Sequence, residues 1–186
     1  MQRNWSLTEL AQHWTILPTE WPLLLEKYGA GRLVFAVLLK AFELEGRFPF
    51  SPSAVANEAV SFVAQQLGLT AEMYVSLDWE GRTLRAYRAQ IREHLGFRTC
   101  TVEDGEVLTE WLSEHVVNSE VSVEARRASA YVRLRELHLE PPTAQRLQRL
   151  LDSAVARFET RLFQYVLREL SAETRSALDD LIRTGV

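Results

Sequence analysis

G-R-T-L-R-A-Y-R-A-Q-I-R-E-H-L-G-F, residues Gly81 to Phe97, reads as one helix with two unlike faces. At about 100° per residue Leu84, Tyr87, Ile91 and Leu95 fall together on one side, while Arg82, Arg85, Arg88 and Arg92 share an adjacent arc of about 120°. Gly81 suits the start of the helix, Gly96 suits the residue just past its end, and no proline interrupts it. An apolar face beside an arginine face has two readings. It is a basic recognition helix for nucleic acid, or it is a solvated helix whose arginines answer nearby acids.

The chain of 186 residues with 47% apolar content can bury a sizeable core and fits one large or two small helical units. No apolar run approaches the roughly 20 residues needed to cross a bilayer, and the start M-Q-R-N-W-S lacks the pattern of a signal peptide. The expectation is a cytoplasmic protein with no membrane partner. Cys100 is the single cysteine, so an internal disulfide is excluded, and neither Cys-x-x-Cys nor His-Glu-x-x-His spacing offers a zinc site. No metal or cofactor is expected.

The net charge of −4 is distributed in blocks. Gly81 to Arg98 holds five arginines against Glu93, whereas Thr101 to Glu120 holds six acids and no lysine or arginine. Of the 21 basic residues only Lys27 and Lys40 are lysine, as a guanine–cytosine-rich genome or a demand for guanidinium forks would produce.

Upstream, Ser6 and Glu9 make a capping box for a short helix through Trp14, and Thr19 is expected to cap a second with Pro22 in its first turn. Leu33, Val34, Val37, Leu38, Ala41 and Phe42 repeat at helical spacing up to Gly46 and are expected to form the core of the first unit. Ser51-Pro52 reads as the start of the helix that carries Val55, Ala59, Phe62, Val63 and Leu67 and ends at Gly68; Thr70 then caps a short helix through about Leu77. Downstream, Thr101 caps a helix with Val107, Leu108, Trp111, Leu112 and His115 on its packed side and Glu103, Asp104, Glu106, Glu110 and Glu114 as a solvated run. A helix from Val123 to Leu137 carries Arg126, Arg127, Arg133 and Arg135. Glu140-Pro141-Pro142-Thr143 forces a turn, after which a long helix to about Leu170 turns Leu147, Leu150, Leu151, Ala154, Phe158, Leu162, Tyr165 and Val166 inward. Its first two turns present Gln145, Arg146 and Arg149, where a helix-turn-helix reader places its contacts. Ser171 opens a final helix from Leu178 to Ile182, and the chain then reads as cut from something longer.

No segment alternates as a strand does, so the predicted fold is all-α, an array of about ten helices with two helix-turn-helix-like units. The expected domains are 1–99, with the basic helix 81–97, and 100–186, with the turn 138–142 and the long helix 143–170. A Gly-rich phosphate loop, a nucleophile elbow and a carboxylate pair in an apolar pocket are all missing from the pattern, so the chain by itself is not expected to be an enzyme.

Four segments together resemble the N-terminal region of the class II replicative transposases of the Tn-three type: G-R-L-V-F-A-V-L-L-K-A-F-E-L-E-G-R-F (Gly31 to Phe48), V-S-F-V-A-Q-Q-L-G-L (Val60 to Leu69), R-A-Q-I-R-E-H-L-G-F (Arg88 to Phe97) and L-R-E-L-H-L-E-P-P-T (Leu134 to Thr143). The resemblance implies double-stranded DNA, the terminal inverted repeats of a bacterial transposable element, as the partner. It also implies a distant catalytic domain using Mg²⁺ that these residues do not contain, and residence at the nucleoid when DNA is bound. The expected DNA-binding residues are Arg82, Arg85, Arg88 and Arg92 in one site and Thr143, Gln145, Arg146 and Arg149 in a second. The alternative is a helical interaction domain that docks on the remaining transposase domains or forms a homodimer.

Overall fold

The computed structural model describes residues 4–120 and 122–184, and these contain nine α-helices, two 3-10 helices and two short strands. Contacts divide the chain into two compact units, one built from the chain up to Thr99 together with Leu137–Pro141, the other from Cys100–Glu136 and from Pro142 onward. The segment Leu137–Pro141 thus goes with the first unit, whereas the sequence reading keeps it in the second.

In the first unit, α1 (Leu7–Trp14) begins at the expected capping box, in which Ser6 Oγ accepts the Glu9 N–H at 3.3 Å and the Glu9 carboxylate accepts the Ser6 N–H at 2.9 Å. Helix α2 (Trp21–Leu25) starts at Glu20 rather than Thr19. The Glu20 carboxylate turns back to accept the Leu17 N–H at 2.7 Å, and this fixes the turn that leads into the helix. Helix α3 (Gly29–Glu45) is closed by Gly46, whose φ of 69° is the left-handed conformation that glycine adopts at least cost.

Leu33 to Phe42 of α3 are ten consecutive buried residues. An α-helix buried over consecutive turns is covered on every side, and α1, α2, α4 (Asn57–Leu67), the 3-10 helix Ala71–Ser76 and α5 (Arg82–His94) all pack on it. Rings lock the contacts: Phe35 meets Tyr87 of α5 edge-on at 5.3 Å, and Phe42 meets Phe48 at 4.4 Å and Phe97 at 5.0 Å. Gly31 lets α5 approach closely, since a Cβ there would lie 2.6 Å from the Tyr87 hydroxyl. The Gln66 side chain joins the end of α1 to α4, accepting the Ile16 N–H at 2.8 Å and donating to the Trp14 carbonyl at 3.0 Å. Ser51-Pro52 opens a separate 3-10 turn, Pro52–Ala54, and not α4 itself, because Val55 and Ala56 are extended between them. Thr70 precedes a 3-10 helix without a side-chain cap bond.

Two parallel two-residue strands, β1 (Arg98–Thr99) and β2 (Leu139–Glu140), correct the expectation of no strand. Pairs this short carry no alternation to read. They form where the chain returns to the first unit, with the Arg98 N–H donating to the His138 carbonyl at 3.0 Å and His138 at φ 53°.

In the second unit α6 (Val102–His115), α7 (Val123–Glu136) and α8 (Ala144–Glu169) pack pairwise, with α6 and α8 parallel, and α9 (Ala172–Thr184) follows. Thr101 and Asp104 form the capping box of α6. Val107 and His115 are exposed instead of packed, because α8 and α7 cover the side of Leu108 and Leu112. On α8 only Leu147, Leu151 and Ala154 are buried; Leu162, Tyr165 and Val166, expected inward, are exposed, since α6 ends at His115 and does not accompany that half of α8.

Lys40 lies inside the first unit, 4% exposed, with Nζ 2.8 Å from Glu20 Oε1 and 2.6 Å from Glu43 Oε2. Removing one member of a buried ion pair strands the other without compensation, at about 3–5 kcal/mol. Lys40→Met is expected to lower urea stability by about that much, and adding Glu20→Gln to recover part of it; an unchanged midpoint for Lys40→Met would refute the pair. Burial pushes the Glu43 carboxyl above its ordinary 4.5, against the pull of Lys40. A carboxyl raised on folding contributes stability that is complete below its unfolded pKa and is lost as pH rises through the raised value. The melting temperature is therefore expected to fall as pH rises above 4.5, relative to Glu43→Gln, and parallel profiles for the two proteins would contradict this.

Candidate nucleic-acid interface

The arginine face of α5 splits along its length. Arg82 and Arg85 in the first turn are exposed; Arg82 has no hydrogen bond or ion pair among the described residues, and Arg85 Nη2 donates only to the Glu80 carbonyl at 3.2 Å. Arg88, two turns along, is half-buried. Its Nη2 donates to the Pro49 carbonyl at 3.3 Å, its guanidinium lies 5.6 Å above the Phe48 ring, and its Nε is buried without a partner among the described residues. Burial lowers its pKa and the Glu140 carboxylate opposes that, so the guanidinium stays charged. Arg92 Nη1 lies 2.7 Å from Glu140 Oε2, with both side chains 21% exposed. Glu140 reaches it because the β1–β2 pairing brings residue 140 to the end of α5, and no local pattern in the sequence signals that contact.

The second set divides in the same way. Thr143 caps α8, its Oγ1 accepting the Arg146 N–H at 3.3 Å. Gln145 and Arg149 are exposed, with no hydrogen bond or ion pair among the described residues. Arg146 is turned inward and forks onto two carbonyls, Cys100 at 3.3 Å and Thr101 at 2.6 Å, where α6 begins.

The acidic run of α6 is not left to solvent alone. Glu106, Glu110 and Glu114, one turn apart, face Arg157 and Arg161 of α8 in a ladder: Arg157 bonds Glu106 and lies 3.3 Å from Glu110, and Arg161 bonds Glu110 and lies 3.7 Å from Glu114. The hydrogen bond from Arg161 holds the Glu110 carboxyl below its usual range, and the bond to Glu106 raises Arg157. The matching one-turn spacings of acids and arginines were present in the sequence and went unpaired in its reading. Among the described residues no group of three or more histidine, cysteine or acidic side chains is placed to hold a metal, and no helix is long and apolar enough to cross a membrane.

This geometry separates arginines that hold the fold from arginines that do not. Arg92→Ala strips the half-buried Glu140 carboxylate of its arginine and Arg146→Ala removes two hydrogen bonds that tie α8 to the start of α6, at about 1–3 kcal/mol each, whereas Arg82→Ala and Arg149→Ala are expected to stay within about 0.5 kcal/mol of the parent. Thermal melts of the four variants check the division, and equal losses for all four would contradict it.

No curated protein matches the chain. Residues 1–154 match the family described as a domain of unknown function, DUF4158, a span that contains both basic sets, all of α5 and the first eleven residues of α8. With most of its length inside that match, the chain belongs to the DUF4158 family.

Proposed function

We propose that this chain is the DNA-binding N-terminal region of a transposase of the Tn-three type, which recognises the terminal inverted repeats of its element. The observation that carries the reading is shared by two helices. In α5 and in α8 the cations of the first two turns that lack internal acid partners, Arg82 and Arg85 in one and Arg149 beside Gln145 in the other, stand in solvent, while Arg88, Arg92 and Arg146 are taken up by the fold. Readers of the major groove place base contacts at the N-terminal turns of a helix, where backbone N–H groups and the helix dipole also favour phosphate. Arginine serves both tasks, as a fork onto guanine or a cation on phosphate, and exposed Gln145 has the donor and acceptor to match adenine. The four segments that resemble the transposases all lie in the span shared with the DUF4158 family, and the choice of DNA end as substrate rests on that resemblance. In this reading the fragment itself does not cut or join strands, works in the cytoplasm at the nucleoid, and belongs with a separate catalytic domain.

A second reading, docking on the other transposase domains or on another copy, draws on one specific feature: Leu162, Phe163, Tyr165 and Val166 of α8 are exposed together.

Binding of end-sequence and scrambled duplexes over a salt series tests the proposal. Three exposed arginines on phosphate give a slope of about −2.7 in log affinity against log salt. Arg82→Ala with Arg85→Ala is expected to weaken binding at least about tenfold, and Gln145→Ala with Arg149→Ala to weaken it independently. Unchanged affinity in both, with altered self-association, would favour the docking reading instead.

A further inference from the structure

Phe50 is 89% exposed, yet the loop that carries it is not loose. On one side Phe48 packs on Phe42 at 4.4 Å, Pro49 is buried, and the Pro49 carbonyl is held by Arg88 at 3.3 Å. On the other side Pro52 fixes its own φ within the 3-10 turn, and Val55 is 3% exposed. Backbone freedom is thus removed on both flanks, and an apolar ring is held out in water with only its own two torsions free. A ring presented this way has given up its ordering entropy before any partner arrives.

Its surroundings select the partner. A protein-docking surface offers a contiguous apolar patch of several hundred Å² or so, whereas the exposed positions of this loop are Phe50 and the polar Ser53, whose hydroxyl lies 2.9 Å from that of Ser51. The side chain that clamps the loop is a cation, and it sits on α5 one turn after exposed Arg85 and two after Arg82. A single aromatic wedge beside helix-borne cations matches the chemistry of a nucleic-acid contact, in which cations meet phosphates and an apolar ring enters or caps a base step. We infer that Phe50 is a base-stacking wedge for duplex DNA, positioned by Arg88. The inference rests on the DNA-binding reading and assigns to that same surface a residue that unstacks a base step. Arg88 acts here as a positioning residue, since its head is spent on the Pro49 carbonyl and the Phe48 ring.

The test uses the full chain and duplexes that it enriches from a random pool, labelled with fluorescein for affinity and carrying 2-aminopurine along the site for base unstacking. The parent is expected to raise 2-aminopurine emission at one step. Phe50→Ala is expected to abolish that signal and weaken binding at least about tenfold, as loss of one base–aromatic stack does, and Phe50→Trp to restore both. Exposure of the ring predicts an unchanged melting temperature for Phe50→Ala, which keeps folding out of the comparison. If duplexes are enriched and bound but Phe50→Ala binds within twofold with the emission unchanged, the wedge is overturned and the DNA reading stands. If no duplex is enriched, both fall together. If Phe50→Ala instead dissolves a self-associated species in sedimentation while DNA affinity holds, Phe50 faces a second copy of the chain and the inference is likewise overturned.

Discussion

The first unit depends on how the Lys40 ammonium group is partnered at its centre. Helix α3 is covered on every side, so Lys40 has no face along which its stem reaches water, and an isolated buried charge would cost far more than a domain's net stability. The fold answers by bringing carboxylates to it: Glu43 from the next turn of α3 and Glu20 from the start of α2. Glu20 has a further duty, because its other oxygen holds the Leu17 N–H and so sets the turn between α1 and α2. One ion cluster therefore fixes where α2 begins and how it lies on α3. Buried ion pairs of this kind add little net stability over an apolar core, but they penalise any packing that separates the partners, and that makes the arrangement specific.

The choice between lysine and arginine follows burial. Lys27 and Lys40 are the only lysines in the chain, and both are buried. Lys27 places Nζ 4.0 Å from the centre of the Phe35 ring and 2.8 Å from the Leu23 carbonyl, a site with room for a compact ammonium but not for a planar fork. Burial accordingly lowers its pKa, with Glu26 pulling the other way. Arginine is used where a flat, multivalent donor is needed: Arg146 spans two carbonyls, Arg88 covers a ring while bonding a carbonyl, and Arg157 and Arg161 each bridge two carboxylates. The arginine excess thus has a structural share beyond any bias of the genome.

Much of this architecture was legible in the sequence, because its signals are local. Capping at Ser6, Thr101 and Thr143, left-handed glycines at Gly46, Gly68 and Gly96, and the apolar face of Leu84 and Ile91 were all readable from the chain. What escaped were features set by residues distant in sequence. The β1–β2 pair, the Arg92–Glu140 contact and the grip of Arg88 on Pro49 join positions about 40 or more residues apart, and the last two redirect arginines whose helical phase alone assigns them to solvent. The same holds for Leu162, Tyr165 and Val166: periodicity gives α8 an apolar face along its whole length but does not say that α6 stops short of it. For the candidate site, residue type and helix position were readable, whereas the division into exposed and internally held arginines was not.

That division also bears on how an acidic chain can leave arginines exposed at helix starts. At physiological salt a charge is felt over about 8 Å, so a net charge of −4 says little about any one helix end. In the second unit the carboxylates Glu106, Glu110 and Glu114 are answered by Arg157 and Arg161, which lie about 12 Å and 18 Å along α8 from Arg149 at 1.5 Å per residue. Parallel packing of α6 and α8 carries these acids away from the start of α8. The acids nearer that start have another task, since Asp104 closes the capping box of α6 and Glu103 stands in its first turn, where negative charge complements the helix dipole. Gln145 and Arg149 stand exposed near the start of α8, toward the end of the helix where the backbone N–H groups carry the positive end of the dipole. In the proposed DNA-binding reading this helix start is the part of the second unit that meets a phosphate, although the chain as a whole is negative.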